Sequence, residues 1–358
     1  LVFNFLGASM IPLIPMFLKQ SLFFSLALTG MTTLVLTVAL GVPVMKWLKR
    51  KNYRDYIHKE YCEKLEMLHK DKAEVPTGGG VLLFISLIAS LLVWLPWGKF
   101  STWFFIILLT CYAGLGWYDD RIKIKRKQGH GLKAKHKFMV QIAIAAFTLI
   151  ALPYIYGSTE PLWTLKIPFM EGMLSLPFWL GKVFCLGLAL VAIIGTSNAV
   201  NLTDGLDGLA AGTMSFAALG FIFVALRSST IPIAQDVAYV LAALVGACIG
   251  FLWYNGFPAQ LFMGDTGSLL LGGLLGSCAV MLRAECILVV IGGVFVAEAG
   301  SVILQVLSCR LRKKRLFLCS PLHHHYEYQG LPETKIVMRF WIFSFVCAGL
   351  GIAAVLWR

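Results

Sequence analysis

Apolar residues in this chain gather into long blocks separated by short polar stretches. Ten blocks are counted: 22–46, 78–97, 101–118, 138–157, 178–197, 209–227, 236–255, 267–283, 285–308 and 336–357. A helix of about 20 apolar residues crosses the hydrocarbon of a bilayer. The pattern therefore predicts an all-α integral membrane protein of about ten transmembrane helices, with one domain spanning 1–358. Stretch 158–177, with alternating character and three prolines, predicts a small hairpin. Residues before Lys19 are apolar but broken by Pro12 and Pro15. They lack the charged start and cleavage site of a signal peptide and read as an interfacial lead-in.

The connections fall on alternate sides of a membrane. One side receives 47–77, 119–137, 198–208, 256–266 and 309–335 and, counting Lys46, carries 23 Lys and Arg. The other side carries seven, and Arg339 lies just inside the last block. Basic loops stay in the cytoplasm, so the first set is expected there, with both termini outside. The net charge of +13 is thus a topology signal: the expected partner is the lipid bilayer, with no nucleic acid. Charged residues make up 14% of the chain, against about 25% in soluble domains. The nine cysteines are scattered without a CxxC pair, which indicates neither a disulfide framework nor a zinc site.

The cytoplasmic loops carry distinctive polar clusters. In NAVNLTDGLDGLAAG, Asn198, Asn201, Asp204 and Asp207 recur every third residue, with Gly205 and Gly208 between and no Lys or Arg. Gly205 predicts a helix end, and Asp207 a cap for the next helix. Carboxylates and free N–H groups at a membrane edge suit Mg²⁺ and a phosphate; an ordinary polar turn is the competing reading. Asp119 and Asp120 oppose the dipole at a helix C-terminus. Either Arg121, Lys123 and Lys125 compensate them as a solvated ion-pair cluster, or they share a metal or a substrate proton with the Asp204–Asp207 region.

Lys133, Lys135, His136 and Lys137 read as a membrane-surface anchor or as a phosphate site. The basic residues Arg310 and Arg312–Arg315 read as a surface anchor. Asn255 precedes FMGDTGS, in which Asp265 is a metal ligand or a helix cap, and Phe262 a base-stacking platform or an interfacial anchor. Consecutive side chains point apart, so His323, His324 and His325 suit hydrogen bonding to sugar, peptide or phosphate oxygens better than one metal. Glu298 lies within an apolar block and should face the bundle interior; no further role is assigned to it. No Walker A, G-x-S-x-G or HExxH sequence occurs.

Taken together, PTGGG (76–80), GWYDDRIK (116–123), GLKAKHKF (131–138), NAVNLTDGLDGLA (198–210), FLWYN with FMGDTGS (251–268) and PLHHHYEYQGLPETKIVMRFW (321–341) resemble the polyprenyl-phosphate N-acetylhexosamine-1-phosphate transferase superfamily of bacterial membranes. The triple-His loop resembles its muramoyl-pentapeptide branch. One departure stands in the first loop, where KAEVPTGGG replaces the family's usual Gly-Thr-Pro-Thr-Met-Gly-Gly run. The resemblance implies a ten-span fold, often a homodimer, with a cytoplasm-facing cleft in the bacterial inner membrane. It implies Mg²⁺-dependent transfer of phospho-MurNAc-pentapeptide from UDP-MurNAc-pentapeptide to undecaprenyl phosphate, giving lipid I and UMP.

Carried over by position, Asp265, with Asp120, would hold Mg²⁺, and Asp119 and Asp120 would serve the polyprenyl phosphate. Asn201, Asp204, Asp207, Asn255 and Phe262 would line the nucleoside pocket, and Asn198 would bind substrate. Lys72 and Lys137 would meet phosphates, and Thr77, Lys135 and the three histidines would bind substrate. A sibling transferase using UDP-GlcNAc is disfavoured by the triple His. A transporter is disfavoured by acids gathered on one face without an inverted repeat.

Overall fold

The computed structural model describes residues 21–54, 74–126, 131–157, 164–169, 173–175 and 178–357. The described residues are helical almost throughout, as a bilayer requires of any span that must satisfy its backbone internally. In order, the helices are α1 (Leu22–Arg50), α2 (Gly80–Trp94), α3 (Phe100–Arg126), α4 (Ala134–Tyr156), α5 (Phe178–Thr203), α6 (Leu209–Arg227), α7 (Ala234–Asn255), α8 (Gly264–Met281), α9 (Glu285–Ile291), α10 (Gly293–Arg312), α11 (Leu322–Tyr328) and α12 (Glu333–Leu356). Between α4 and α5, β1 (Thr164–Lys166) pairs antiparallel with β2 (Met173–Ser175), Thr164 opposite Ser175. That is the small hairpin expected there.

Among the described residues, nine helices are long and apolar enough to cross a membrane. The exception among the ten expected spans is α2, whose 15 residues extend about 22 Å. The residues before it are used otherwise. Phe262 N–H donates to Pro76 O (2.9 Å), Gly79 N–H to Phe262 O (2.8 Å) and Gly80 N–H to Met263 O (2.9 Å). PTGGG is thereby laced to the segment that opens α8. The expected span 285–308 is also divided: Gly292 separates α9 from α10. Uninterrupted hydropathy across VVIGGVFV conceals that break.

Helices α7 and α8 form the centre, with most of their residues buried, and the others wrap them. Bilayer lipid supplies little hydrophobic drive between helices, so small residues and interhelical hydrogen bonds hold them. Thr33 of α1 donates to Ser90 of α2 (2.7 Å), and Tyr254 of α7 to Val38 O of α1 (2.6 Å). Backbones also approach closely at the first turn of α8. A Cβ on Gly80 would lie 2.0 Å from Gly267 N, and one on Gly116 2.3 Å from Asp265 O. Only glycine lets α2 and α3 press their backbones onto that turn.

Candidate active site at the polar end of the bundle

A helix begins with N–H groups that have no partner within the helix. At α8 the partner comes from another helix. Asp120, near the C-terminus of α3, accepts from Asp265 N–H (3.0 Å) through Oδ1, and from Thr266 N–H (3.0 Å) and Thr266 Oγ1 (2.6 Å) through Oδ2. Gly264 allows the entry, with φ of +70° and a missing Cβ that would meet Asp120 Oδ2 at 2.9 Å. Asp120 thus compensates the positive end of the α8 dipole and fixes the residue next to it, Asp265.

Asp265 is the hub. Its Oδ1 accepts from Lys123 Nζ (2.8 Å) and Asn201 Nδ2 (3.0 Å), and its Oδ2 from Lys137 Nζ (2.6 Å). Asn201, at the end of α5, also donates to Ser268 Oγ (2.8 Å). Asp119 faces the same point: Leu132 N–H donates to its Oδ1 (2.8 Å), and Lys123 Nζ lies 3.0 Å from its Oδ2. Lys123 is one helical turn from Asp119 on the same face, which turns it inward between two acids. Arg121 instead lies over the Trp117 ring at 5.0 Å. The solvated-cluster reading of Arg121, Lys123 and Lys125 therefore does not describe Lys123.

Asp119, Asp120 and Asp265 are all buried and offer oxygens within 4.8 Å of one another. Hard oxygen donors of three carboxyl groups fit Mg²⁺, and Lys123 and Lys137 Nζ on Asp265 already mark where cations sit.

A second layer supports this hub. Asn198 donates to Gln141 Oε1 (2.9 Å), Gln141 to Ser197 Oγ (3.3 Å) and Ser197 to Leu269 O (3.2 Å), tying α5 to α4 and α8. Half-buried Asp204 follows α5. In the turn beyond, Asp207 N–H donates to Glu333 Oε1 (2.7 Å), and Asp207 Oδ2 accepts from Ala259 N–H (2.9 Å). Asn255 spans the gap, accepting from Gly208 N–H (3.1 Å) and donating to Leu261 O (3.0 Å). Both of these bonds go to backbone, so Asn255 clamps the turn to the α7–α8 connection. Phe262 is half-buried beside it, and Thr77 is buried with its N–H on Tyr53 O (3.1 Å).

The triple-His stretch is α11, and its rings have separate partners. His323 Nδ1 lies 3.0 Å from Glu298 Oε2, and both side chains are fully buried. His324 Nδ1 lies 2.6 Å from Glu327 Oε2. His325 Nδ1 accepts from Leu318 N–H (3.2 Å). Only His324 and His325 retain exposed surface. Lys135 stands exposed at the rim, and Lys72 lies outside the described residues. Thr266, Ser268, Gln141 and Glu333 join the site without having been singled out in the sequence. Uncharged polar residues inside apolar blocks give little signal, though Glu333 could have been noticed as an acid opening a helix.

The family model described as glycosyl transferase family 4 matches residues 102–283, about half the chain and most of this site. Among curated proteins, the phospho-N-acetylmuramoyl-pentapeptide-transferase of Chlamydia abortus is 56% identical, over 96% of this chain and 99% of its own. That of Chlamydia caviae is 59% identical over 90% and 93%, and that of Chlamydia trachomatis 50% over 87% and 92%. At such identity over nearly whole chains, the protein belongs to the phospho-N-acetylmuramoyl-pentapeptide-transferase family, within glycosyl transferase family 4.

Proposed function

We propose that this multi-pass bacterial membrane protein transfers phospho-MurNAc-pentapeptide from UDP-MurNAc-pentapeptide to undecaprenyl phosphate, releasing UMP and giving lipid I. The reaction would take place at the cytoplasmic face of the inner membrane. The observation that carries the reading is the buried Asp119–Asp120–Asp265 cluster with Lys123 and Lys137 drawn into it, in a chain of this family.

A phosphate oxygen of the acceptor bonds to the sugar-bearing phosphorus of the donor. The bond from that phosphorus to the bridging oxygen breaks, and the electron pair leaves with UMP. Negative charge spreads over the phosphoryl oxygens, so electrostatic positioning contributes most of the catalysis. Asp265, with Asp119 beside it, would hold Mg²⁺, which when bound supplies Lewis-acid stabilisation of those oxygens.

Asp120 acts chiefly by holding the first turn of α8, since both its oxygens already accept hydrogen bonds there. Lys123 and Lys137 offer ammonium charge to the diphosphate. Asp119 orients the acceptor instead of deprotonating it: a phosphate monoester has its second pKa near 6 and is mostly dianionic at cytoplasmic pH. The turn from Asp204 to Asp207, with Phe262, forms the nucleoside side, while His324 and His325 face the sugar and peptide.

The test is UMP release by purified protein with undecaprenyl phosphate, Mg²⁺ and either UDP-MurNAc-pentapeptide or UDP-GlcNAc. Release with the first donor only, abolished by chelator, is expected. Release with UDP-GlcNAc alone would overturn the donor assignment.

A further inference from the structure

Glu298 and His323 are the most deeply buried ionisable pair in the described protein, both at 0% exposure. Stability alone is a poor reason to keep them, because apolar residues of similar size commonly serve a core as well as a buried pair. What an apolar pair does not do is fix the direction of a ring. A carboxylate on Nδ1 sets the tautomer and orientation of an imidazole, and His323 Nδ1 lies 3.0 Å from Glu298 Oε2. The opposite edge then bears on Gly205, whose missing Cβ would lie only 2.2 Å from His323 Nε2. Gly205 sits in the turn between Asp204 and Asp207. His323 Nε2 and Glu298 Oε1 have no hydrogen-bond partner among the described residues, which in native structures calls for an explanation such as a functional role. The same turn is held from other sides by Asn255 and Glu333.

We propose that Glu298 is a positioning residue: it locks His323 so that the Nε2 edge props the Asp204–Asp207 turn, setting that turn and α11 in place relative to Asp265. The inference rests on the proposed reaction for its kinetic readout but not for its geometry. Asparagine reproduces a donor at the Nδ1 position of histidine, whereas glutamine places its amide near Nε2, so the two replacements separate the roles.

The experiment measures kcat and KM for UMP release, and unfolding midpoints, in purified wild type, His323→Asn, His323→Gln, Glu298→Ala, His323→Ala and the Glu298→Ala/His323→Ala double variant. Expected are kcat within about fivefold of wild type for His323→Gln, which keeps an amide at the edge facing Gly205, and a loss of roughly 30-fold for His323→Asn, which keeps only the contact with Glu298, and for Glu298→Ala, with the double variant no worse than the poorer single, as a coupled pair requires. A merely structural pair, in which only the bond to Glu298 counts, would rank Asn at or above Gln. His323→Asn matching or exceeding His323→Gln, or losses that multiply in the double variant, would overturn the proposal. Should wild type release no UMP, the proposed reaction fails while the prop is still judged by the midpoints: His323→Gln melting above His323→Asn supports it, and the reverse order refutes it.

Discussion

Replacing Asp120 by asparagine tests how Asp265 is held. Asp120 receives two backbone N–H groups and one hydroxyl from the first turn of α8. A hydrogen bond to a charged acceptor contributes about 1.5–3 kcal/mol, and a helix cap about 1–2 kcal/mol. Asparagine keeps one acceptor oxygen but turns an NH₂ group toward donors on the other side. One lost bond and one opposed pair give about 2–4 kcal/mol, which, if expressed in the transition state, is about 30- to 1,000-fold in kcat. Thr266→Val removes only the hydroxyl bond, so about 1.5 kcal/mol and roughly tenfold are expected. Kinetics across a Mg²⁺ titration read the result. Both variants should lose kcat in that order, with half-saturating Mg²⁺ shifted less than about threefold, a change small beside the tenfold that 1.4 kcal/mol represents. Full turnover in Asp120→Asn, or a loss confined to Mg²⁺ half-saturation, would refute the capping argument and make Asp120 a ligand outright.

Gly80→Ala should abolish folded, active protein because its Cβ would lie 2.0 Å from Gly267 N, whereas Gly114→Ala, with open space around it, should be nearly neutral; detergent-solubilised melting curves compare the two. His324→Ala should impair use of UDP-MurNAc-pentapeptide by about tenfold, the cost of one lost charged contact, while UMP affinity measured by calorimetry stays within error; collapse of UMP binding would put His324 on the nucleotide side. A cysteine introduced at exposed Lys314 should react with a membrane-impermeant reagent only from the cytoplasmic side of sealed vesicles, as the 23-to-7 distribution of basic residues requires; labelling from outside would invert the topology.

The spans were legible because hydropathy over about twenty residues is a strong signal, and the hairpin because prolines and alternation mark it. The break at Gly292 was not, since both halves are equally apolar and only backbone geometry separates them. At the site, Asp119, Asp120, Asn201 and Asp265 stood out as polar residues at span ends, and the structure brings them together. The inward turn of Lys123 was readable from its four-residue offset to Asp119, yet its basic neighbours suggested a solvated cluster. The partnership of Glu298 with His323 joins two elements 25 residues apart, and no local pattern predicts such a contact. Asn255 reads in sequence as a ligand-facing amide; its bonds to Gly208 N–H and Leu261 O depend on a loop path that local sequence does not specify.

The claim that everything else serves is that the carboxylate cluster holds a divalent cation through Asp265. Its most direct test is Mn²⁺ binding, followed by electron paramagnetic resonance, to purified wild type, Asp265→Asn and Asp236→Asn. Asp236 pairs with Lys99 at the opposite end of the bundle. A saturable Mn²⁺ site displaced by Mg²⁺ is predicted in wild type and Asp236→Asn and lost in Asp265→Asn. Unchanged Mn²⁺ binding in Asp265→Asn would contradict the account.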